Sequence, residues 1–174
     1  MPDDLPHVLF LCTGNAARSV MAGAMLHARG VEGEAAVRVT TAGTHVIEHQ
    51  PMSVRTRAAL RAVGLAPPEH RSRQLTEADV EAADLIVAMA AEHVHYVRRR
   101  HPSGAGRTAT LRYLAPRLRA GPEALAVRVG ELALAGIDPG AQGDVTDPAG
   151  GDDDDYVSCA RDLVRLMDEL VPRI

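Results

Sequence analysis

The stretch that decides the fold runs from Val8 to Ser19 and reads VLFLCTGNAARS. Four apolar residues lead directly into Cys12, a pattern typical of a buried strand in a parallel sheet. Small and turn-forming residues follow, and from Ser19 to Ala28 apolar residues recur at helical spacing. We therefore predict a strand, a tight loop and a helix N-terminus, with a thiol and the Arg18 guanidinium on that loop.

This loop, residues 12–18, is called the Cys12 loop, and its composition is that of an anion site. A helix N-terminus presents unpaired N–H donors and a positive dipole end, and Arg18 can contact two phosphate oxygens at once. The same field favours the thiolate of Cys12, to which the Ser19 hydroxyl can donate. Gly14 and Asn15 suit a compact loop, Asn15 as a left-handed residue. We predict that Cys12 is a nucleophile that attacks a bound oxyanion.

Two other interpretations of the Cys12 loop are less favoured. An isolated cysteine at a strand end is usually a buried structural residue, but the glycine, asparagine, arginine and serine that follow favour a reactive thiol. The loop is not a nucleotide-binding loop of the Walker type, because the Gly-Lys-Ser/Thr ending is missing.

Length and composition limit the class of protein. A chain of 174 residues fits one domain spanning residues 1–174, and its net charge of −4 argues against a general nucleic-acid binder. No apolar run is long enough for a transmembrane helix, and the acidic start Met1–Asp4 is unlike a signal peptide. The two cysteines, Cys12 and Cys159, do not make a disulfide scaffold. We expect a cytoplasmic protein.

Strand and helix patterns alternate along the chain, which predicts an α/β fold. We expect a single-domain, three-layer α/β/α architecture with a central, mostly parallel four-stranded sheet and the phosphate-binding loop after strand 1. In such sheets ligands bind at the carboxyl ends of the strands. The predicted strands are His7–Leu11, Ala36–Thr41, Asp84–Met89 and Ala109–Leu114. The predicted helices are Ser19–Ala28, Pro51–Val63, a short one capped by Thr76, Ala91–Arg100, Pro122–Ala135 and Asp152–Leu170.

The stretch around Cys12 resembles the signature C-x-x-x-x-x-R-S of the low-molecular-weight protein tyrosine phosphatase family, which is related to the thioredoxin-coupled arsenate reductases. Further segments are similar to that family in the same order along the chain: TAGT at 41–44, HRSRQL at 70–75, DLIVAM at 84–89 and DP at 147–148. These matches extend from residue 7 to residue 148. On them the chain is identified as a divergent member of the family.

The resemblance implies a two-step phosphoryl transfer with no metal or cofactor. Cys12 attacks phosphorus, and Asp147 first protonates the leaving oxygen and then activates water. The expected partners are a phosphorylated protein or a small phosphomonoester, with inorganic phosphate or another oxyanion in the loop, and neither nucleic acid nor membrane. The implied phosphate-binding residues are Thr13, Gly14, Asn15, Ala16, Ala17, Arg18 and Ser19; Asn15, Ser19, Thr41 and His70 are implied as supports of the loop.

Departures from the family pattern concern the substrate. Val20 replaces the usual proline, and Ala17 replaces a cysteine that often guards the nucleophile against oxidation. After Asp147-Pro148, where tyrosine phosphatases place aromatics, come small residues, four aspartates and only then Tyr156. Ala16 occupies the position where relatives carry a branched apolar residue for phosphotyrosine or a threonine for phosphoarginine. Protein phosphotyrosine is the favoured substrate, with phosphoarginine and small molecules left open.

Other functions and roles also stay open at this point. An arsenate reductase would share the Cys-Thr-Gly-Asn opening, but it needs further thiols, and residues 71–92 contain no cysteine. A silent module that only binds phosphate is another possibility. The run Asp152–Asp155 suits a solvated helix start, or it selects a cationic group beside the phosphate. Cys159 is expected in the core.

Overall fold

The apolar run before the nucleophile forms the central strand β1 (His7–Cys12), in which all six residues are buried. This is seen in a computed structural model that describes residues 5–33 and 36–174; the acidic start Met1–Asp4 lies outside the described residues. The other strands are β2 (Arg38–Gly43), β3 (Leu85–Ala88) and β4 (Thr108–Thr110), in the sheet order β2-β1-β3-β4, and every pairing is parallel.

Helices cover both faces of this sheet, as a parallel sheet requires. Val8 and Phe10 of β1 point into the larger apolar cluster, whereas Leu9 and Leu11 point into a smaller one on the opposite face. The helices are α1 (Arg18–Val31), α2 (Val54–Ala62), α3 (Glu77–Ala82), α4 (Ala91–Arg100), α5 (Leu111–Arg117), α6 (Leu125–Gly130) and α7 (Asp153–Leu170). The larger cluster contains residues of α1, α2, α5, α6 and α7, and the smaller one contains residues of α3 and α4.

The predicted strand Ala109–Leu114 is wrong beyond its first two residues. The strand ends at Thr110, whose side chain accepts a hydrogen bond from the N–H of Tyr113 and so caps the N-terminus of α5. The apolar residues that followed the strand pattern, Leu111 and Leu114, lie three positions apart and bury one face of a helix. A short apolar run cannot by itself separate a strand from a buried helix.

Other boundaries also differ from the prediction; α1, for example, ends at Val31 and not at Ala28. The helix expected over Pro51–Val63 begins at Val54, because the Ser53 side chain accepts from the N–H of Thr56 and caps it. The helical character of Pro122–Ala135 is limited to α6, and the left-handed backbone of Ala133 (φ 49°) ends any continuation. Strand β2 starts and ends two residues later than predicted. In the part of the chain that the structure describes, no helix combines the length and the apolar character needed to cross a bilayer.

Candidate active site

The Cys12 loop lies at the carboxyl end of β1 and leads directly into α1. Asn15 has a left-handed backbone (φ 51°), and no side chain caps the N-terminus of α1. Among residues 5–33 and 36–174, none of the backbone N–H groups of residues 14–19 donates to a protein acceptor. These donors and the helix dipole together suit the oxygens of a bound anion.

The Cys12 thiol is buried beside the first turn of α1. Its Sγ lies 3.0 Å from Ser19 Oγ. Ser19 Oγ also accepts a hydrogen bond from Asn15 Nδ2 at 3.1 Å, so the hydroxyl hydrogen of Ser19 is available for the sulfur. This arrangement places a hydroxyl donor, Ser19, at the sulfur of Cys12.

The left-handed conformation of Asn15 is held on four sides. Its Nδ2 donates to Thr41 Oγ1 at 2.9 Å as well as to Ser19, and its Oδ1 accepts from the backbone N–H of Arg73 at 3.1 Å. Its carbonyl oxygen accepts from Nε2 of His70 at 2.7 Å. Burial lowers the pKa of His70. The supports implied by the family resemblance thus surround one loop residue, with Arg73 as an unpredicted fourth member.

Gly43, at the end of β2, allows the neighbouring strand to approach the Cys12 loop. A Cβ atom at this position would lie 2.5 Å from the carbonyl oxygen of Thr13 and 3.0 Å from the nitrogen of Asn15. The two residues after it donate their N–H groups to the loop, Thr44 to the Cys12 carbonyl and His45 to the Thr13 carbonyl, both at 3.0 Å. The TAGT segment therefore contains its glycine because any side chain there would displace the loop.

Asp147 reaches the Cys12 loop from 129 residues away in sequence. Nη2 of Arg18 donates to Asp147 Oδ2 at 2.8 Å, and Nη1 donates to the carbonyl oxygen of Val145 at 3.2 Å. Arg18 is only 4% exposed, whereas the Asp147 side chain is 46% exposed and its other oxygen accepts from the N–H of Ala149. These contacts use two of the five N–H donors of the guanidinium.

The acidic run after Asp147 is a helix start. Asp152 and Asp155 form a reciprocal capping box at the N-terminus of α7. Arg55 of α2 donates to Asp153 and to the carbonyl oxygen of Gly151, which ties α2 to the end of the Asp147 loop (residues 147–151). Tyr156 packs against the larger apolar cluster. Three of the four aspartates therefore have structural partners. This agrees with the interpretation of the run as a helix start and not as a selector for a cationic group.

His93, to which the sequence assigned no role, contacts the Cys12 loop. It is completely buried on α4, and its Nε2 lies 2.9 Å from Thr13 Oγ1. Burial lowers its pKa to about 3, and electrostatic interactions with Arg18 and His45 act in the same direction. Its position in the chain could have indicated this contact. His93 follows β3, and the carboxyl end of β3 lies beside that of β1 in the parallel sheet.

Cys159 is a second buried cysteine, and its thiol lies in an apolar environment. It lies in the larger apolar cluster on α7. Burial raises the pKa of its thiol to about 12, so the thiol is protonated at neutral pH and is not a nucleophile.

Buried neutral histidines make the stability of the protein dependent on pH. Burial lowers the pKa of His7, His70 and His93, the last to about 3 from the ordinary 6.5. Between these values the unfolded chain binds protons that the folded chain does not, so stability is complete above about pH 6.5 and falls on acidification. We expect His93 alone to remove about 1 kcal/mol of unfolding free energy per unit between about pH 6 and pH 5. Urea unfolding measures this; a slope that His93→Asn leaves unchanged would contradict it.

Comparison with known proteins agrees with this geometry. The family model described as low molecular weight phosphotyrosine protein phosphatase matches residues 7–122. The protein-arginine-phosphatase of Geobacillus stearothermophilus is 29% identical over 167 residues, which is 96% of this chain and 95% of that protein. Low molecular weight protein-tyrosine phosphatase A of Mycobacterium tuberculosis is 44% identical over 105 residues, or 56% of this chain and 60% of that protein.

A solved structure is similar over almost the whole chain. It is a serine variant of YwlE arginine phosphatase with a phosphorylated active-site serine, 26% identical with a TM-score of 0.77, and the match covers 95% of this chain and 93% of that one. The similarity thus includes α7 and the Asp147 loop, which the family model does not cover.

Proposed function

The chain belongs to the low molecular weight phosphotyrosine protein phosphatase family, and from that premise we propose that it hydrolyses phosphate groups on proteins through a cysteinyl-phosphate formed at Cys12. Arg18 and the backbone N–H groups of the Cys12 loop hold the phosphoryl oxygens. Asp147 acts as general acid and then as general base. The pair Arg18–Asp147 at 2.8 Å, which brings a carboxyl group from 129 residues away to the Cys12 loop, is the observation that carries this proposal.

In the first step the thiolate of Cys12 attacks phosphorus. A sulfur–phosphorus bond forms while the bond from phosphorus to the leaving oxygen breaks, and Asp147, protonated at the start of the step, gives its proton to that oxygen. The loop N–H groups and the guanidinium of Arg18 face the three non-bridging oxygens, where negative charge must be stabilised in the transition state. The Ser19 hydroxyl supports the sulfur anion before the attack.

In the second step water hydrolyses the intermediate. The Asp147 carboxylate takes a proton from water as the water oxygen bonds to phosphorus, and the sulfur–phosphorus bond breaks to restore the Cys12 thiolate. Inorganic phosphate leaves. Because Arg18 donates to Asp147 in the structure, a bound phosphoryl group competes with this carboxylate for the guanidinium and frees Asp147 to face the leaving group.

Protein phosphotyrosine, the substrate class in the description of the matching family model, is the first candidate substrate, and protein phosphoarginine is the second. Phosphoarginine is supported by the full-length match to a protein-arginine-phosphatase, against a partial match to the tyrosine phosphatase. The wall beside Asp147 agrees, because Ala149 and the two glycines after it offer no ring to stack on a tyrosine and Tyr156 packs on the core. An arsenate reductase is not favoured, since the relatives named above are all phosphatases.

Side-by-side hydrolysis of two phosphopeptides tests the proposal and separates these substrates. The peptides share one sequence and carry either phosphotyrosine or phosphoarginine, and released phosphate gives kcat/KM for each. We expect a preference of about 100-fold or more for one of them, as a site shaped for one leaving group rejects the other. Faster release from phosphotyrosine supports the first candidate, and faster release from phosphoarginine the second. No release from either peptide or from para-nitrophenyl phosphate would contradict the proposed function.

A further inference from the structure

A buried histidine on α4 contacts the Cys12 loop at a residue other than Asn15. The contacts of Asn15 fix the middle of the loop. His93 contacts the residue directly after the nucleophile: its Nε2 lies 2.9 Å from Thr13 Oγ1. Exposure of His93 is 0%, so water does not compete for this contact.

The hydrogen bonds of His93 determine which ring nitrogen carries the proton. Nδ1 accepts from the backbone N–H of Ala90 at 3.0 Å, so Nδ1 is unprotonated. A neutral ring then carries its proton on Nε2, which donates to Thr13 Oγ1. The hydroxyl of Thr13 in turn donates to Glu92 Oε1 at 3.2 Å. The pKa of about 3 at His93 agrees with a neutral ring.

Thr13 is thereby fixed at both its side chain and its backbone. Its carbonyl oxygen accepts from the N–H of His45 at 3.0 Å, while its hydroxyl lies between His93 and Glu92. Thr13 joins Cys12 to Gly14, which carries the first of the N–H groups of residues 14–19; none of these has a protein acceptor in the part of the chain that the structure describes. A rotation of Thr13 would therefore misdirect both the sulfur and the first of these donors.

We infer that His93 is a positioning residue for phosphoryl transfer, acting through its Nε2–H bond to Thr13. The inference rests on the proposed function, because it assumes that the Cys12 loop binds the transferred phosphoryl group. Donors that are aligned before the reaction stabilise charge that develops in the transition state, so their misalignment lowers kcat more than it raises KM. The ring has a second, separate task, because its Nδ1 caps the N–H of Ala90 at the start of α4.

Two substitutions separate these tasks. In His93→Asn the amide oxygen can take the place of Nδ1 and retain the Ala90 contact, but nothing reaches Thr13. In His93→Gln the longer amide can donate to Thr13, but the Ala90 N–H loses its acceptor. We expect His93→Asn to lower kcat on para-nitrophenyl phosphate by about tenfold, as for the loss of one buried hydrogen bond, with KM within about twofold. His93→Gln should retain more activity yet unfold at a lower temperature than His93→Asn.

Substitutions at Thr13 provide the rescue test. Thr13→Val keeps the shape of the side chain without the hydroxyl and should lower kcat at least as much as His93→Asn does, because it also removes the bond to Glu92. Thr13→Ser restores the hydroxyl and should recover most of that loss. Since both changes remove the bond between Thr13 and His93, the double variant of His93→Asn and Thr13→Val should be no slower than Thr13→Val alone. The exposed His95 on the same helix gives the matched control, His95→Asn, with wild-type kcat.

The outcomes distinguish the inference from the proposed function. An inactive wild-type protein, or full activity in Cys12→Ser, would remove the proposed function itself. An active wild type in which His93→Asn keeps its kcat would overturn the inference alone. So would a series in which kcat simply follows thermal stability, or additive losses in the double variant, because a merely structural histidine would give either result.

Discussion

Replacement of Cys12 by serine is expected to lower kcat on para-nitrophenyl phosphate on the order of 10⁴-fold or more, as for other enzymes that lose their nucleophile. The hydroxyl of serine is far less acidic than a thiol, so the helix N-terminus and Ser19 have no thiolate to stabilise at neutral pH. The loop geometry should change little, because the serine oxygen is only slightly smaller than the cysteine sulfur that it replaces.

Steady-state rates and intact-protein mass spectrometry measure this outcome. Binding of inorganic phosphate should persist in Cys12→Ser, since Arg18 and the loop N–H groups are unchanged. A phosphoryl group that does reach the introduced hydroxyl should stay there, because an alkoxide is a poorer leaving group than a thiolate. The matched control is Cys159→Ala, which removes the other cysteine and should keep the wild-type kcat. Loss of activity in both variants, or in neither, would contradict the assignment of Cys12.

The first strand, the Cys12 loop and α1 could be predicted because the relevant signals are local. A continuous apolar run, a cluster of turn-forming residues and a helical repeat follow one another within residues 7–28, and each reflects the chemistry of its own neighbourhood. The start of α5 could not be predicted in the same way. Leu111 and Leu114 are compatible with the end of a strand and with the buried face of a helix. The hydrogen bond that Thr110 accepts from the N–H of Tyr113 decides between them, and it is seen only in three dimensions.

The residues of the site can also be divided into those with a local sequence signal and those without one. Residues on the Cys12 loop are identifiable because their types and spacing are unusual together. His93 is not, because a single histidine on a helix has no local signal, and its contact with Thr13 depends on β1 and β3 being neighbours in the sheet. Asp147 lies between these cases. The sequence offers it as a candidate through an Asp-Pro pair, but its approach to Arg18 depends on how the chain returns to the sheet edge.

The second large effect is expected from Asp147→Asn, which should lower kcat by about 10²- to 10⁴-fold, the usual range for loss of a general acid. Asparagine preserves the shape, and its oxygen can still accept from the N–H of Ala149, so the Asp147 loop keeps its turn. It has no acidic proton to give to the leaving oxygen. The loss should therefore be larger for tyrosine or alkyl phosphates than for para-nitrophenyl phosphate, whose leaving group needs little protonation.

Asp147→Asn should also strengthen binding of inorganic phosphate. We expect this increase in affinity because Asp147 is paired with Arg18 in the structure. In the wild type the Asp147 carboxylate occupies one N–H of Arg18 and repels an incoming dianion. Removing its charge relieves both effects, so the inhibition constant of phosphate should fall while kcat also falls. Asp154→Asn, a change at an exposed aspartate near the start of α7, should alter neither quantity. Equal losses for all leaving groups together with weaker phosphate binding would mean that Asp147 only holds Arg18 in place and transfers no proton.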